Sequence, residues 1–114
     1  MTNWTDTELI DDARVVLRLV SGKWTLRILA ALRNGPRRHN ELRRAIAPVH
    51  PKVFDETLRR MTDQQLLSRE VRSGVPPAVY YAISGPAQSL MDQLDDLLEW
   101  IKDNPSLLQL WRDQ

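Results

Sequence analysis

The side chains of this 114-residue chain best equipped to bind something are basic, and they fall at three places. Arg37-Arg38-His39-Asn40 is one group, Lys52, Arg59 and Arg60 are a second, and Arg72 stands apart as a third. Guanidinium and ammonium groups recognise phosphate, and an arginine can also grip a guanine edge through two hydrogen bonds. Asp55 and Glu56 lie in the same stretch as Lys52 and Arg59, and carboxylates repel phosphate. Two roles remain open for them. They could accept a hydrogen bond from cytosine N4, or they could be neutralised by Lys52 and Arg59 at helical spacing, which is the favoured reading.

Other chemistries find no matching residues. The chain has no cysteine, which removes disulfides, thiolate metal ligands and thiol redox chemistry. His39 and His50 lack the partners of a metal site and read as polar contacts at helix starts. Ser21 and Ser84 have no histidine within a recognisable nucleophile motif, and no glycine-rich phosphate cradle occurs. No cofactor, no metal and no enzymatic activity are therefore expected. Trp4, Trp24, Trp100 and Trp111 read as core and interface packing, with a ligand pocket between the terminal helices as the alternative.

Charge is distributed unevenly. The net charge is only +1, yet residues 14–72 carry 14 basic against 5 acidic side chains, while residues 1–13 and 73–114 are each acidic. A basic middle of this kind suits a polyanionic partner when its residues share one surface. No apolar run approaches the roughly 18 residues that span a bilayer. Asp6, Glu8, Asp11 and Asp12 stand where a signal peptide would be apolar. A cytoplasmic protein without a membrane partner is the expectation.

The elements that would position these groups can be read from periodicity. Thr5-Asp6-Thr7-Glu8 has the spacing of a capping box, and Leu9, Ala13, Val16, Leu17 and Val20 then recur on one helix face. A second helix from about Lys23 to Arg33 ends at Asn34-Gly35-Pro36. A short third helix is expected to start near Asn40 as its cap, and a fourth from Pro51 to about Gln65 has Phe54, Leu58 and Met61 as its inner stripe. Residues 67–72 and 78–83 read as two strands around Ser73-Gly74-Val75-Pro76-Pro77. A long helix from about 86 to 103 follows, and one or two further helical turns fit Leu107, Leu110 and Trp111. The whole chain reads as one mainly α domain with a small β-hairpin. Residues 40–65 form a helix-turn-helix, 67–83 a wing, and helices 6–20 and 86–103 the dimerising elements.

Three segments carry a resemblance. Val20-Ser21-Gly22-Lys23-Trp24-Thr25-Leu26, the run from Gly35-Pro36-Arg37-Arg38 to Ile46, and Val75-Pro76-Pro77-Ala78-Val79-Tyr80-Tyr81 resemble the HxlR-type family of bacterial winged-helix regulators. The likeness implies a homodimer, held by its first and last helices, that binds an inverted-repeat operator in double-stranded DNA and represses or activates nearby genes. Such proteins commonly carry a cysteine near the start, which this chain lacks. His39 stands where an aromatic or apolar residue is usual, His50-Pro51 replaces a serine-led helix start, and Ala78 lacks a basic wing side chain.

The long last helix supports a dimer on physical grounds too. Its apolar stripe includes Leu90, Leu94, Leu97 and Ile101, wider than a single small domain can cover. Burying each such side chain is worth roughly 1.5–3 kcal/mol, so a second copy, with Leu9 and Val16 of the first helix, is the expected cover. A small-molecule effector between the terminal helices is compatible with this arrangement. A winged-helix module that binds protein instead of DNA is the alternative reading.

Overall fold

The computed structural model describes residues 3–114. Helix α1 (Thr7–Val20) is capped by Asp6, whose carboxylate accepts the Leu9 N–H at 3.0 Å. The expected cap, Thr5, hydrogen-bonds Asn3 instead. A carboxylate is favoured here twice, as an acceptor for an orphan N–H and as a negative charge at the positive end of the helix. Between α1 and α2 (Thr25–Leu32), Gly22 passes so close to the buried Thr25 that a Cβ would lie 2.7 Å from its hydroxyl.

After α2 the chain forms a two-residue strand, β1 (Arg37–Arg38), and enters α3 (His39–Ala45) directly. Asn40, expected as the cap of this helix, lies inside it; Arg38 holds the cap position without a side-chain bond. The sheet decides this start, because Arg38 is already extended by pairing with Tyr80 when the helix begins. Helix α4 (Pro51–Asp63) is capped by His50, whose Nδ1 accepts the Lys52 N–H at 3.1 Å. Pro51 fills the first turn, where a missing N–H costs nothing.

The end of α4 comes earlier than the apolar pattern suggests. Gln65 takes φ +61°, its N–H donates to Thr62 O, and the Leu66 N–H donates to Met61 O at 2.9 Å. These are the two bonds of a Schellman stop, with glutamine where glycine is common. Leu66 and Met61 are both buried, completing the hydrophobic contact of the motif.

The wing is more than a hairpin. Strands β2 (Leu67–Arg72) and β3 (Ala78–Ile83) pair in antiparallel register from Leu67 opposite Ile83 to Arg72 opposite Ala78. On the other edge of β3, Arg37 and Arg38 pair with Tyr81 and Tyr80, giving the order β1-β3-β2. Tyr81 turns into the core with Phe54, Leu58 and Met61, which join Ile28, Leu29, Leu32, Leu42, Ala87 and Met91 in one cluster.

Helix α5 (Gly85–Asp103) is capped by Ser84, whose Oγ accepts the Ala87 N–H and donates to Gln65 O. One side chain thus fastens the start of α5 to the end of α4. Arg33 at the end of α2 adds a second tie, reaching Asp92 at 2.9 Å and Asp95 at 2.6 Å. Beyond these ties α5 leaves the body. Ala87 and Met91 are buried, Leu90, Leu94 and Ile101 half-buried, and Leu97 is 47% exposed. Helix α6 (Pro105–Arg112) folds back so that Trp111 stacks on Trp100, with ring centres 5.9 Å apart. Leu9, at 50%, and Leu17, at 61%, are also exposed on α1. The radius of gyration is 16.5 Å, against roughly 13 Å for an average compact domain of this length.

Replacing Gln65 with glycine is expected to stabilise the fold by about 0.5–1 kcal/mol, because it removes a left-handed strain that only glycine escapes. A thermal melt checks this: the midpoint should rise by a few degrees, and a fall would mean that the side chain of Gln65 contributes more than its backbone costs.

Candidate nucleic-acid interface

Helix α4 is amphipathic in the strict sense that every inward residue of its central turns is buried. Phe54, Thr57, Leu58 and Met61 face the core. The inner face thereby sets which residues face out. Lys52, Glu56 and Arg59 follow one another along the outer face, all exposed. Among the described residues none of these three forms an ion pair.

Asp55 is paired, though not with Lys52 or Arg59 as helical spacing suggested. His39, from the first turn of α3, donates from Nε2 to Asp55 Oδ1 at 2.7 Å. Its ring is fixed by the edge of Phe54, with centres 5.0 Å apart. A rigid ring already aimed at Asp55 needs no side-chain ordering, whereas Lys52 and Arg59 would each have to immobilise a long chain at the surface. The bond locks the two helices of the helix-turn-helix together.

A second cluster spans all three strands. Arg38 on β1 donates from Nε to the Tyr80 hydroxyl at 2.9 Å. Arg72 on β2 lies over the same ring, with its guanidinium carbon 3.7 Å from the centre, and its Nε is 3.4 Å from Glu70. The hydrogen bond to Tyr80, followed by the electrostatic influence of that phenol, raises the Arg38 guanidinium pKa further above the ordinary arginine value. Tyr80 was not singled out from the sequence. The alternation that sends Val79 and Tyr81 to one face sends Tyr80 to the other, and that signal was available.

Two open clefts flank these groups. One of about 480 Å³ lies between α4 and the sheet, lined by Asp55, Arg59, Asp63, Arg69 and Tyr81 among others. The other, about 720 Å³, lies between the start of α3 and the wing tip, and includes Arg38, Asn40, Arg44 and Pro76. His39 and Val79 line both, so the clefts meet there. Arg44 and Arg69 join the surface without having been expected.

Two expected residues lie elsewhere. Arg37 points to the opposite side of β1, into a groove with Arg27, Ala30 and Ile46, as strand alternation requires of the neighbour of Arg38. Arg60 turns its guanidinium toward the α1–α2 connection, where a side chain at Gly22 would meet Nη2 at 3.5 Å. Among the described residues no three His, Cys, Asp or Glu side chains gather as metal ligands would. Among the described residues no helix is long and apolar enough to cross a membrane.

A short helix, a tight turn and a second helix with Lys52 and Arg59 on its outer face, followed by a three-stranded sheet, define a winged helix-turn-helix protein. The model of the HxlR-like helix-turn-helix family matches residues 19–107, and the chain belongs to that family. It is 33% identical over 97 residues to an uncharacterised HTH-type transcriptional regulator of Methanothermobacter thermautotrophicus, covering 85% of this chain and 74% of that one. It is likewise 33% identical over 103 residues to the uncharacterised HTH-type transcriptional regulator YtfH of Escherichia coli K12, covering 90% and 81%. Among solved structures, a transcriptional regulator of the MarR family from Enterococcus faecalis V583 superposes with a TM-score of 0.80 at 27% identity, over 99% of this chain and all of that one. The protein is a DNA-binding transcriptional regulator.

Glu56, on the outer face of α4, has no basic partner among the described residues. Changing Glu56 to glutamine should tighten binding to duplex DNA of any sequence several-fold, because one repulsion of phosphate is removed at high dielectric. Anisotropy titrations read this directly. Loss of preference for one base position, without tighter binding, would instead assign Glu56 to a cytosine N4.

Proposed function

We propose that the chain acts as a homodimer that sets two copies of α4 into successive major grooves of an inverted-repeat operator, about 34 Å apart. The observation that carries this reading is the pair of free cations on the outer face of α4. Lys52 and Arg59 face outward without ion pairs, while the inner side of the helix is wholly buried. Arg59 is assigned to a base edge, with Lys52 beside it. Arg38, Asn40 and Arg72 are assigned to backbone phosphates, which fix register without reading sequence. His39 and Asp55 act as a brace between the two helices. Arg37 and Arg60 find less support as DNA contacts, since their side chains leave this surface.

The dimer reading is supported by apolar surface on the terminal helices. Leu9 and Val16 of α1, and Leu97 with half-buried Leu90, Leu94 and Ile101 of α5, are left open to water in the single chain. Leu94 also packs against the protomer's own core, so its share in the interface is partial. A small molecule seated among these helices would alter the spacing of the two α4 copies and hence operator affinity. The chain has no cysteine through which such a response could run. The family's role and the absence of a nucleophile with a matched base support a protein that regulates and does not catalyse.

The first test is anisotropy on DNA flanking the chain's own gene, beside a shuffled duplex, at about 50 and 200 mM salt. Affinity for both should fall by orders of magnitude across that range, and the native flank should stay preferred. Arg59→Ala should lose about 1–3 kcal/mol on the operator and relax one base position. Unchanged discrimination would reduce Arg59 to a phosphate contact. No binding to either duplex, with a protein partner recovered in a pull-down, would favour the protein-binding module, for which exposed Glu56 is the supporting feature. For assembly, Leu97→Glu should shift the light-scattering mass from twice the chain mass to the 13.2 kDa of one chain. A wild-type mass of one chain would exclude the dimer.

A further inference from the structure

We infer that Tyr80 is a positioning residue that joins Arg38 and Arg72 into one phosphate-binding unit, an inference that rests on the DNA-binding role proposed above. The sheet brings the three side chains together. Arg38 stands directly opposite Tyr80 across the β1–β3 pair, while Glu70 stands opposite it across β3–β2. Arg72, two residues beyond Glu70, is a diagonal neighbour, within reach of an aromatic ring. Arg38 donates to the hydroxyl with its guanidinium carbon 5.5 Å from the ring centre, and Arg72 lies closer over the ring, at 3.7 Å.

Two guanidinium groups this near each other repel, and at an exposed surface both would otherwise sample many rotamers. The ring opposes both tendencies. Its π face attracts the Arg72 cation, and its hydroxyl accepts from Arg38, so two positive charges share one aromatic partner. Each contact engages only part of each guanidinium. Arg38 gives Tyr80 its Nε, and Arg72 turns its Nε toward Glu70, which leaves the terminal nitrogens of both without a hydrogen-bond partner among the described residues. Those nitrogens are the pair that grips a phosphate in the planar, two-bond manner. Arg38 also lines the cleft between the start of α3 and the wing tip, which would border a DNA backbone beside an inserted α4. Holding two long side chains ready removes much of the ordering cost that each contact otherwise carries.

The test uses the full chain and a labelled duplex of about 30 base pairs of arbitrary sequence, titrated between about 50 and 200 mM salt. The slope of log K against log salt reports the number of phosphates neutralised, about 0.9 per contact. Loss of structure alone does not shift it in proportion to contacts. Tyr80→Leu should make the slope shallower by one to two contacts and weaken binding about tenfold at mid-range salt. Tyr80→Phe, which keeps the ring for Arg72 and loses the acceptor for Arg38, should lose about one contact. Adding Arg72→Ala to Tyr80→Leu should change the slope little further, since the Arg72 contact is already lost. A wild-type slope in Tyr80→Leu overturns the inference, as does a wild-type slope in Tyr80→Phe should the leucine variant fail to fold by circular dichroism. A further drop of a full contact on adding Arg72→Ala would also overturn it, by showing that Arg72 binds without Tyr80. Failure of the wild type to bind any duplex would remove the DNA-binding role itself, and with it the phosphate unit.

Discussion

Strand β3 is hydrogen-bonded on both sides, and the rest of the molecule is arranged by that pairing. β2 holds one edge along six residue pairs, and the two residues of β1 hold the other. Because a strand alternates, a single register decides two things together. Tyr81 goes inward to meet the buried stripe of α4, and Tyr80 goes outward between Arg38 and Arg72. A one-residue slip of β3 would turn Val79, Tyr81 and Ile83 away from the core and bring Ala78, Tyr80 and Ala82 to it, replacing branched side chains with alanines on the buried face. The same pairing extends Arg38 just before α3 and so sets where the first helix of the helix-turn-helix starts.

From that frame the outer face of α4 is carried by parts whose backs are buried. Phe54, Leu58 and Met61 are almost wholly removed from water, each worth roughly 1.5–3 kcal/mol, and together they leave α4 no freedom to roll. The stop at Gln65 and the Ser84 side chain, which bonds Gln65 O, fix where α4 ends and α5 begins. His39 bridges to Asp55 across the turn between helices. The two ends and the inner face of α4 are thus all fastened, which suits a helix that must present its outer face at a fixed angle.

The terminal helices follow a different rule. α5 is tied to the body by its first turns and by Arg33, whose one guanidinium serves Asp92 and Asp95. Its later turns, α6 and most of α1 carry leucines, valines and tryptophans on surfaces that the chain does not cover. Only Val20 of α1 is buried. A body organised around β3 and two apolar arms outside it make a molecule elongated to 55 × 31 × 23 Å.

The sequence by itself determined the class of fold, because its signals are local. The apolar repeat of Phe54, Leu58 and Met61, proline at the start of α4 and two alternating segments around a Gly/Pro tip each follow from backbone geometry within a few residues. It also determined that thiol chemistry plays no part, since that needs a residue the chain does not have. The outward placement of Lys52 and Arg59 was legible for the same reason: they must lie opposite a buried stripe. Contacts between segments far apart in the chain were decided only by tertiary structure. No spacing rule joins Arg38 to Tyr80, His39 to Asp55, or Arg60 to the neighbourhood of Gly22, because those distances are set by how the sheet and helices pack. Helix starts went the same way. Asn40 has the side chain of a good cap, but the extended residue fixed by sheet pairing was Arg38, and backbone hydrogen bonds outweighed a local side-chain preference.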